Sequence, residues 1–222
     1  MRSGFLAHSL SVARKDWMVE SRSFTGLAST ALFALVTLAV LSLSVGPGGA
    51  EGDLLAALLW VLLLFAGMAG LAQGFVREFD AHTAGHLKLL ARPHEVLAGK
   101  ALLNFWLLAL VEVLVVPLYL GVMAPRVQSW GVFLGTLALA DLGLVAVSTL
   151  FAGIVAQSRA RGALYAGLCI PVLIPLLLAA VGGTKAAFGV TPDARTHLVT
   201  LAAFDAVLVG AAMLLIEPVW NE

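Results

Sequence analysis

Six long apolar segments dominate this chain of 222 residues. Three of them carry no charged residue, at residues 23–50, 54–76 and 162–184, and three contain one acidic residue each, at residues 101–124, 127–156 and 196–216. About 20 apolar residues in helical form cross the ~30 Å hydrocarbon core of a bilayer. Soluble proteins have roughly a quarter of their residues charged, whereas this chain has 12%. The sequence therefore predicts one all-α membrane domain over residues 1–222 with six transmembrane helices.

The basic residues predict how the six helices are oriented. Ten of the 13 Lys and Arg residues lie before the first span, between the second and third, or between the fourth and fifth. Cytoplasmic loops carry an excess of Lys and Arg, so both termini are expected in the cytoplasm. The total charge is zero, which gives no indication of nucleic-acid binding, and the lone Cys169 lies within the fifth span and has no disulfide partner.

The first 22 residues form a predicted cytoplasmic amphipathic helix. Leu6, Leu10, Ala13 and Trp17 follow one another at helical spacing, which favours a helix at the membrane interface. It serves either as a simple anchor or as an elbow that grips a partner. A cleaved signal peptide is the competing interpretation, but the apolar run is too long and two acidic residues precede it.

The largest polar stretch after the N-terminus is residues 77–100, between the second and third spans. Apolar and charged residues alternate there, which predicts two short helices broken at Arg92 and Pro93, because proline removes a helix donor and restricts the residue before it. Two short helices joined by such a break on the membrane surface are suited to docking a partner protein. His82 and His86 share a predicted helical face, but without a suitable third ligand nearby a solvated surface position is the better interpretation, and no metal site is predicted.

The order and spacing of several motifs resemble the CcmB family, the permease subunit of the haem exporter used in cytochrome c maturation, within the ABC-2-type exporter permeases. The matching features are Arg77-Glu78, Thr83, Leu87-x-Leu89-Leu90-x-x-Pro93, Gly99-Lys100, Val111-Glu112 followed by Pro117, and the run from Ile170 to Leu177. One departure is His82-Thr83-Ala84-Gly85, where the family usually has Gly-Thr-Leu-Glu. Any contact with the partner ATPase that the family's acidic residue would make is therefore not implied for this chain.

The resemblance implies a subunit of the bacterial inner membrane that forms a homodimer and works with a separate cytoplasmic ATPase. It also implies other cytochrome c maturation membrane proteins and a periplasmic haem chaperone as partners, and haem as a substrate. The residues expected to couple to the ATPase are Arg77, Glu78, Thr83, Leu87, Leu89, Leu90, Arg92, Pro93 and Trp17. The chain lacks the phosphate-binding loop G-x-x-x-x-G-K-[ST], so ATP is expected in the partner. A permease for another lipid, drug or polysaccharide is the alternative.

Three acidic residues, Glu112, Asp141 and Asp205, lie near the middle of the third, fourth and sixth spans. A carboxylate at mid-bilayer costs about 2.5 to 3.5 kcal/mol on insertion scales, so such residues face the bundle interior. They either line a substrate or proton path or are neutral acids hydrogen-bonded to a neighbouring helix. An intramembrane enzyme or a membrane scaffold is the alternative of another class.

Two features mark the fifth span and the connection after it. Pro171 and Pro175 are four residues apart, which predicts a kink that serves as a gate or as a fixed bend. Residues 182–197 are expected to form the longest outer loop. His197, the one histidine of that loop, is the weak candidate for a haem ligand.

Overall fold

A computed structural model describes residues 2–46, 49–71, 91–156, 158 and 161–221, and every regular element in them is an α-helix. The helices are α1 (Arg2–Ser23), α2 (Thr25–Val45), α3 (Gly52–Leu71), α4 (Pro93–Met123), α5 (Trp130–Val155), α6 (Arg161–Ala187) and α7 (Ala194–Asn221). Helices α2 to α7 each contain a stretch long and apolar enough to cross a membrane. The all-α membrane fold with six spans is therefore confirmed, with α1 as an additional N-terminal helix.

Local sequence explains where several helices begin and end. Phe24 adopts a left-handed conformation with φ 49° and separates α1 from α2. Gly46 ends α2 with φ 72°, a conformation that glycine adopts without a Cβ clash. At the start of α7, Asp193 Oδ1 accepts the Thr196 N–H at 3.2 Å, the hydrogen bond of an N-cap.

The start of α4 differs from the prediction. A separate short helix was expected before a span starting near residue 101, but α4 runs without interruption from Pro93 through 31 residues. Proline is favoured at the first helical position, and Glu95 accepts the Arg92 N–H at 3.0 Å, so this segment starts a helix. At 1.5 Å per residue α4 is about 46 Å long, which exceeds the ~30 Å hydrocarbon core. Its first turns therefore project beyond the membrane.

Helix α5 is the centre of the bundle and contacts α3, α4, α6 and α7. Two buried hydrogen bonds add to this apolar core: the Trp60 indole N–H donates to Thr184 Oγ1 at 2.8 Å, and the Tyr119 hydroxyl donates to the Leu55 carbonyl at 2.6 Å. Apolar side chains on the outer faces stay exposed, as Leu43 does at 87%. In a membrane protein such faces meet lipid.

The two ends of the bundle are distinct. We call the end where α1 packs on the first turns of α4 the near side, and the opposite end the far side. At the far side, the connection before α5 meets the end of α6, where the Gln128 and Ser129 N–H groups donate to the Ala187 carbonyl at 2.9 and 3.1 Å. An ion pair of 2.7 Å between Lys185 and Asp53 also lies there.

Candidate functional site

The contact between α1 and α4 is close because it is built around a glycine. A Cβ placed on Gly99 would lie 2.6 Å from the Ser9 carbonyl oxygen and 2.8 Å from the Val12 Cβ. Any larger residue at this position would force the two helices apart. Val12 and Val96 are buried in the apolar core beside this crossing.

A buried ion pair crosses the same interface. The Lys100 ammonium lies 2.9 Å from Asp16 Oδ2, and the Lys15 ammonium lies 2.9 Å from Asp16 Oδ1. The Lys100 side chain is only 2% exposed. A charge withdrawn from water needs a charged partner, so this ion pair favours one position of α1 on α4.

Two further hydrogen bonds secure the ends of α1. Near its start, His8 Nδ1 lies 3.2 Å from Glu95 Oε1, while the other oxygen of Glu95 caps α4. Near its end, the buried Glu20 accepts the Leu27 N–H at 3.1 Å across the turn at Phe24. Helix α1 is thus attached both to α4 and to the first turn of α2.

The near-side end of α3 is attached to the bundle in a similar way. The Asn104 amide on α4 donates to Thr149 Oγ1 on α5 at 2.9 Å and to the Leu71 carbonyl at 3.5 Å. Leu71 is the last residue described before residue 91. Sequence reasoning missed Asn104, although an amide in an otherwise apolar span was a signal.

Most of the residues predicted to couple to an ATPase lie outside the described residues, namely Arg77, Glu78, Thr83, Leu87, Leu89 and Leu90. His82 and His86 of the rejected metal pair also lie outside them. Of the other predicted coupling residues, Arg92 and Pro93 start α4, and Trp17 is 39% exposed on α1. No group of three or more His, Cys, Asp or Glu side chains suited to a metal occurs in the part of the chain that the structure describes.

The three predicted intramembrane acids form one layer. Glu112, Asp141 and Asp205 are buried, with exposures of 8%, 3% and 4%. Each lies eleven residues from the far-side end of its helix, a depth of about 16 Å at 1.5 Å per residue. Because α4, α5 and α7 pack against one another, the acids share one level of the bundle interior.

Glu112 and Asp141 are in direct contact. Their buried carboxyl groups are neighbours across the interface of α4 and α5, within reach of a hydrogen bond. A bond between two carboxyl groups requires a proton on one of them, because an ionised carboxylate only accepts. The remaining oxygens, Glu112 Oε1 and Asp141 Oδ1, have no hydrogen-bond partner among the described residues. The pair is therefore placed to share a proton between two helices.

Asp205 occupies a different position in the layer. It faces Gly143 of α5, where a Cβ would lie 2.5 Å from Asp205 Oδ1 and 2.8 Å from a Leu176 methyl. Within the described residues neither of its buried carboxyl oxygens has a hydrogen-bond partner. Burying an unpaired polar group costs free energy, which makes Asp205 an energetically exceptional group of the core.

The predicted gate helix, α6, is a continuous helix that includes Pro171 and Pro175. That the two prolines kink this helix, as a gate or as a fixed bend, stays a prediction. Cys169 on the same helix is buried, as expected for a residue of a span.

Comparison with known proteins supplies the family. The sequence matches the family described as CcmB protein over residues 7–216, nearly the whole chain. The chain belongs to the CcmB family. This is the haem exporter permease family, so the chain is a membrane permease subunit of a haem-exporting ABC transporter and not an enzyme. No curated protein matches the sequence.

The match covers both groups of residues described above. Residues 7–216 include the α1–α4 contact as well as the acidic layer of this CcmB chain. The resemblance drawn from the motifs is therefore confirmed, together with the link to cytochrome c biogenesis and haem transport.

The candidate haem ligand of this CcmB chain lies in a helix and not in a loop. Helix α6 continues to Ala187 and α7 begins at Ala194, so only residues 188–193 connect them. The prediction of a long loop over residues 182–197 is therefore wrong. His197 belongs to the first turn of α7. Its ring packs on α6 so closely that a Cβ on Gly182 would lie 2.3 Å from the ring. His197 therefore contributes to helix packing at the far side.

Proposed function

We propose that this chain is the transmembrane half of a transporter that a separate cytoplasmic ATPase drives during cytochrome c assembly. The CcmB family implies a haem-exporting ABC transporter with an ATPase partner. The sequence contains no phosphate-binding loop of its own. ATP binding and hydrolysis are therefore assigned to the partner, and this chain provides the conformational change.

The observation that carries the proposal is how both ends of the segment between α3 and α4 are anchored. On one side, Asn104 bonds to the Leu71 carbonyl. On the other, Lys100 and Glu95 tie the start of α4 to α1. A force applied to the segment between Leu71 and Arg92 is thus transmitted to α3 and to the α1–α4 unit together.

Within the predicted coupling segment 77–100, residues 95–97, 99 and 100 are buried, in part beneath α1, so the ATPase is proposed to dock on the part before them, with Leu89 and Leu90 as its apolar contacts. Closure of the ATPase on ATP would displace α3 relative to α4, a rigid-body movement of the kind that packed helices allow. Because Asn104 also bonds to Thr149, that movement would reach α5 and its acidic layer. The chain is proposed to work as a homodimer with two ATPase subunits.

The substrate of the transporter is proposed to be haem or a haem-loaded protein. Either haem crosses the membrane, or the conformational change releases the periplasmic haem chaperone from a complex of maturation proteins. The acids of the middle layer are proposed to line the path that opens.

The near side is proposed to face the cytoplasm of a bacterium, with the protein in the inner membrane. Ten of the 13 basic residues belong to the near side under the predicted topology, and cytoplasmic loops are the ones rich in Lys and Arg. This topology places both termini and residues 77–100 where a cytoplasmic ATPase reaches them.

The docking assignment is tested by the double variant Leu89→Asp/Leu90→Asp, co-expressed with the partner ATPase. Two charges in an apolar contact oppose association, so the ATPase should no longer co-purify while insertion into the membrane is unchanged. Val190→Asp, a single change of the same kind at an exposed far-side position, is the control and should keep the ATPase bound. Full yield of ATPase with the double variant would overturn the assignment.

A further inference from the structure

Helix α1 turns its acidic residues inward and its basic residues outward. Asp16 and Glu20 are buried and bonded within the protein. Arg14 and Arg22 are exposed, and neither forms an ion pair with another residue in the described ranges. The free surface of α1 is therefore positively charged, although the helix contains both signs of charge.

An apolar stripe lies beside the buried face of α1. Leu6, Leu10 and Trp17 are 65%, 61% and 39% exposed. With 3.6 residues per turn they fall within a sector of about 40°, roughly 80° from the face that packs on α4. The remaining side of the helix carries Arg14 and Arg22, with Met18, which is 45% exposed, between them. Three sides are thus distinguishable: one towards protein, one apolar and one basic.

The position of α1 in the chain places this stripe at the membrane boundary. Helix α1 ends at Ser23 and the first spanning helix begins at Thr25, so the two are joined only by Phe24. An apolar stripe next to a basic face is the pattern of a helix lying in the headgroup region. Tryptophan is enriched at that depth, where its ring meets lipid and its N–H meets water.

We propose that α1 binds anionic phospholipid headgroups of the leaflet on the near side, with Leu6, Leu10 and Trp17 among the acyl chains and Arg14 and Arg22 on the phosphates. Guanidinium groups pair with phosphate through two parallel hydrogen bonds. The negative surface potential of such lipids attracts basic residues close to the membrane.

This assignment is independent of the ATPase proposal and changes the role expected of Trp17. Trp17 was predicted as a contact for the ATPase, but here it contacts lipid. Since α1 is locked to α4 through Asp16 and Lys100, bound anionic lipid would also fix the start of α4. An acidic surface of a protein partner is the competing occupant of the basic face, although it would leave the apolar stripe uncovered.

The first test measures lipid binding to the purified full-length chain by native mass spectrometry, with phosphatidylglycerol and phosphatidylcholine as probes. The wild type should prefer phosphatidylglycerol. Arg14→Gln/Arg22→Gln should weaken that binding by about fivefold for each arginine lost and leave phosphatidylcholine binding unchanged. Arg126→Gln/Arg195→Gln removes two exposed arginines of the far side and is the matched control.

The second test follows Trp17 directly in bilayers that contain brominated phosphatidylglycerol. Quenching of tryptophan fluorescence should be stronger in the wild type than in Trp17→Phe, because bromine reaches a ring at headgroup depth. Equal quenching would overturn the placement of α1. Equal loss of lipid in the control double variant would overturn the role of Arg14 and Arg22. That role would also be overturned if Arg14→Gln/Arg22→Gln kept its lipid affinity but lost the co-purifying ATPase.

Discussion

Replacing Asp16 by alanine should release α1 from α4. The variant removes the carboxylate that lies 2.9 Å from the ammonium of Lys100, whose side chain is 2% exposed. Removing one partner of a fully buried ion pair costs about 3 to 5 kcal/mol. The cost here should be lower, on the order of 2 to 3 kcal/mol, because Lys100 makes a further interaction in the protein.

The assay is hydrogen exchange of the backbone amides in α1, since local opening of one helix is visible there without global unfolding. A loss of 2 to 3 kcal/mol raises the open population by about 30- to 140-fold, because 1.4 kcal/mol is a factor of ten. The amides of α5 should keep their protection. Asp53→Ala is the control, because it breaks a pair in which Asp53 is 52% exposed, and such surface pairs contribute about 0 to 1 kcal/mol.

A double-mutant cycle separates the ion pair from packing. Asp16→Ala/Lys100→Met replaces both charges by apolar groups, and well-packed apolar replacements of a buried pair are often neutral. The double variant should therefore recover most of the protection that Asp16→Ala loses, with a coupling free energy of about 2 kcal/mol. If α1 exchanges in Asp16→Ala no faster than in Asp53→Ala, the ion pair does not hold α1 in place.

Three further predictions concern the interior. Glu112→Gln should keep a hydrogen bond to Asp141 and most of the thermal stability in detergent. Glu112→Leu should lower the free energy of unfolding by about 1 to 3 kcal/mol, because Asp141 loses its partner. Equal melting temperatures of the two variants would contradict the pairing. Gly143→Ala should lower the melting temperature, since its Cβ would lie 2.5 Å from Asp205 Oδ1, and an unchanged value would count against that contact. Trp60→Phe should cost about 1 kcal/mol by deleting one buried hydrogen bond, measured by the same unfolding assay.

The six spans and the N-terminal helix were predictable because both follow from composition and periodicity along the chain. The depth of Glu112, Asp141 and Asp205 was predictable for the same reason. Their partners were not: the contact between Glu112 and Asp141 depends on how α4 and α5 are rotated about their axes. Periodicity in one helix does not give its rotation relative to a neighbour.

The near side was harder to predict because charged residues are usually expected to be exposed to solvent. Lys100 was counted as a cytoplasmic surface charge, but it is buried beneath α1 against Asp16. Pro93 was interpreted as a break, yet proline also starts helices, and Glu95 two residues later supported a helix start. Likewise the sequence predicts a loop around His197, but α6 continues as a helix through Gly182 and Gly183. Gly182 allows His197 of α7 to pack closely on α6, and Gly183 allows the same for Thr136 of α5.

We propose that this CcmB-family chain carries out a movement that a separate ATPase powers and that serves haem handling. The most direct measurement is ATP hydrolysis by the complex purified after co-expression with the partner ATPase, with and without haem and the haem chaperone. We expect a complex with two copies of each subunit whose hydrolysis rate changes when haem or the chaperone is added. A complex whose rate ignores both would contradict the haem assignment, and the absence of any complex would contradict the transporter mechanism itself.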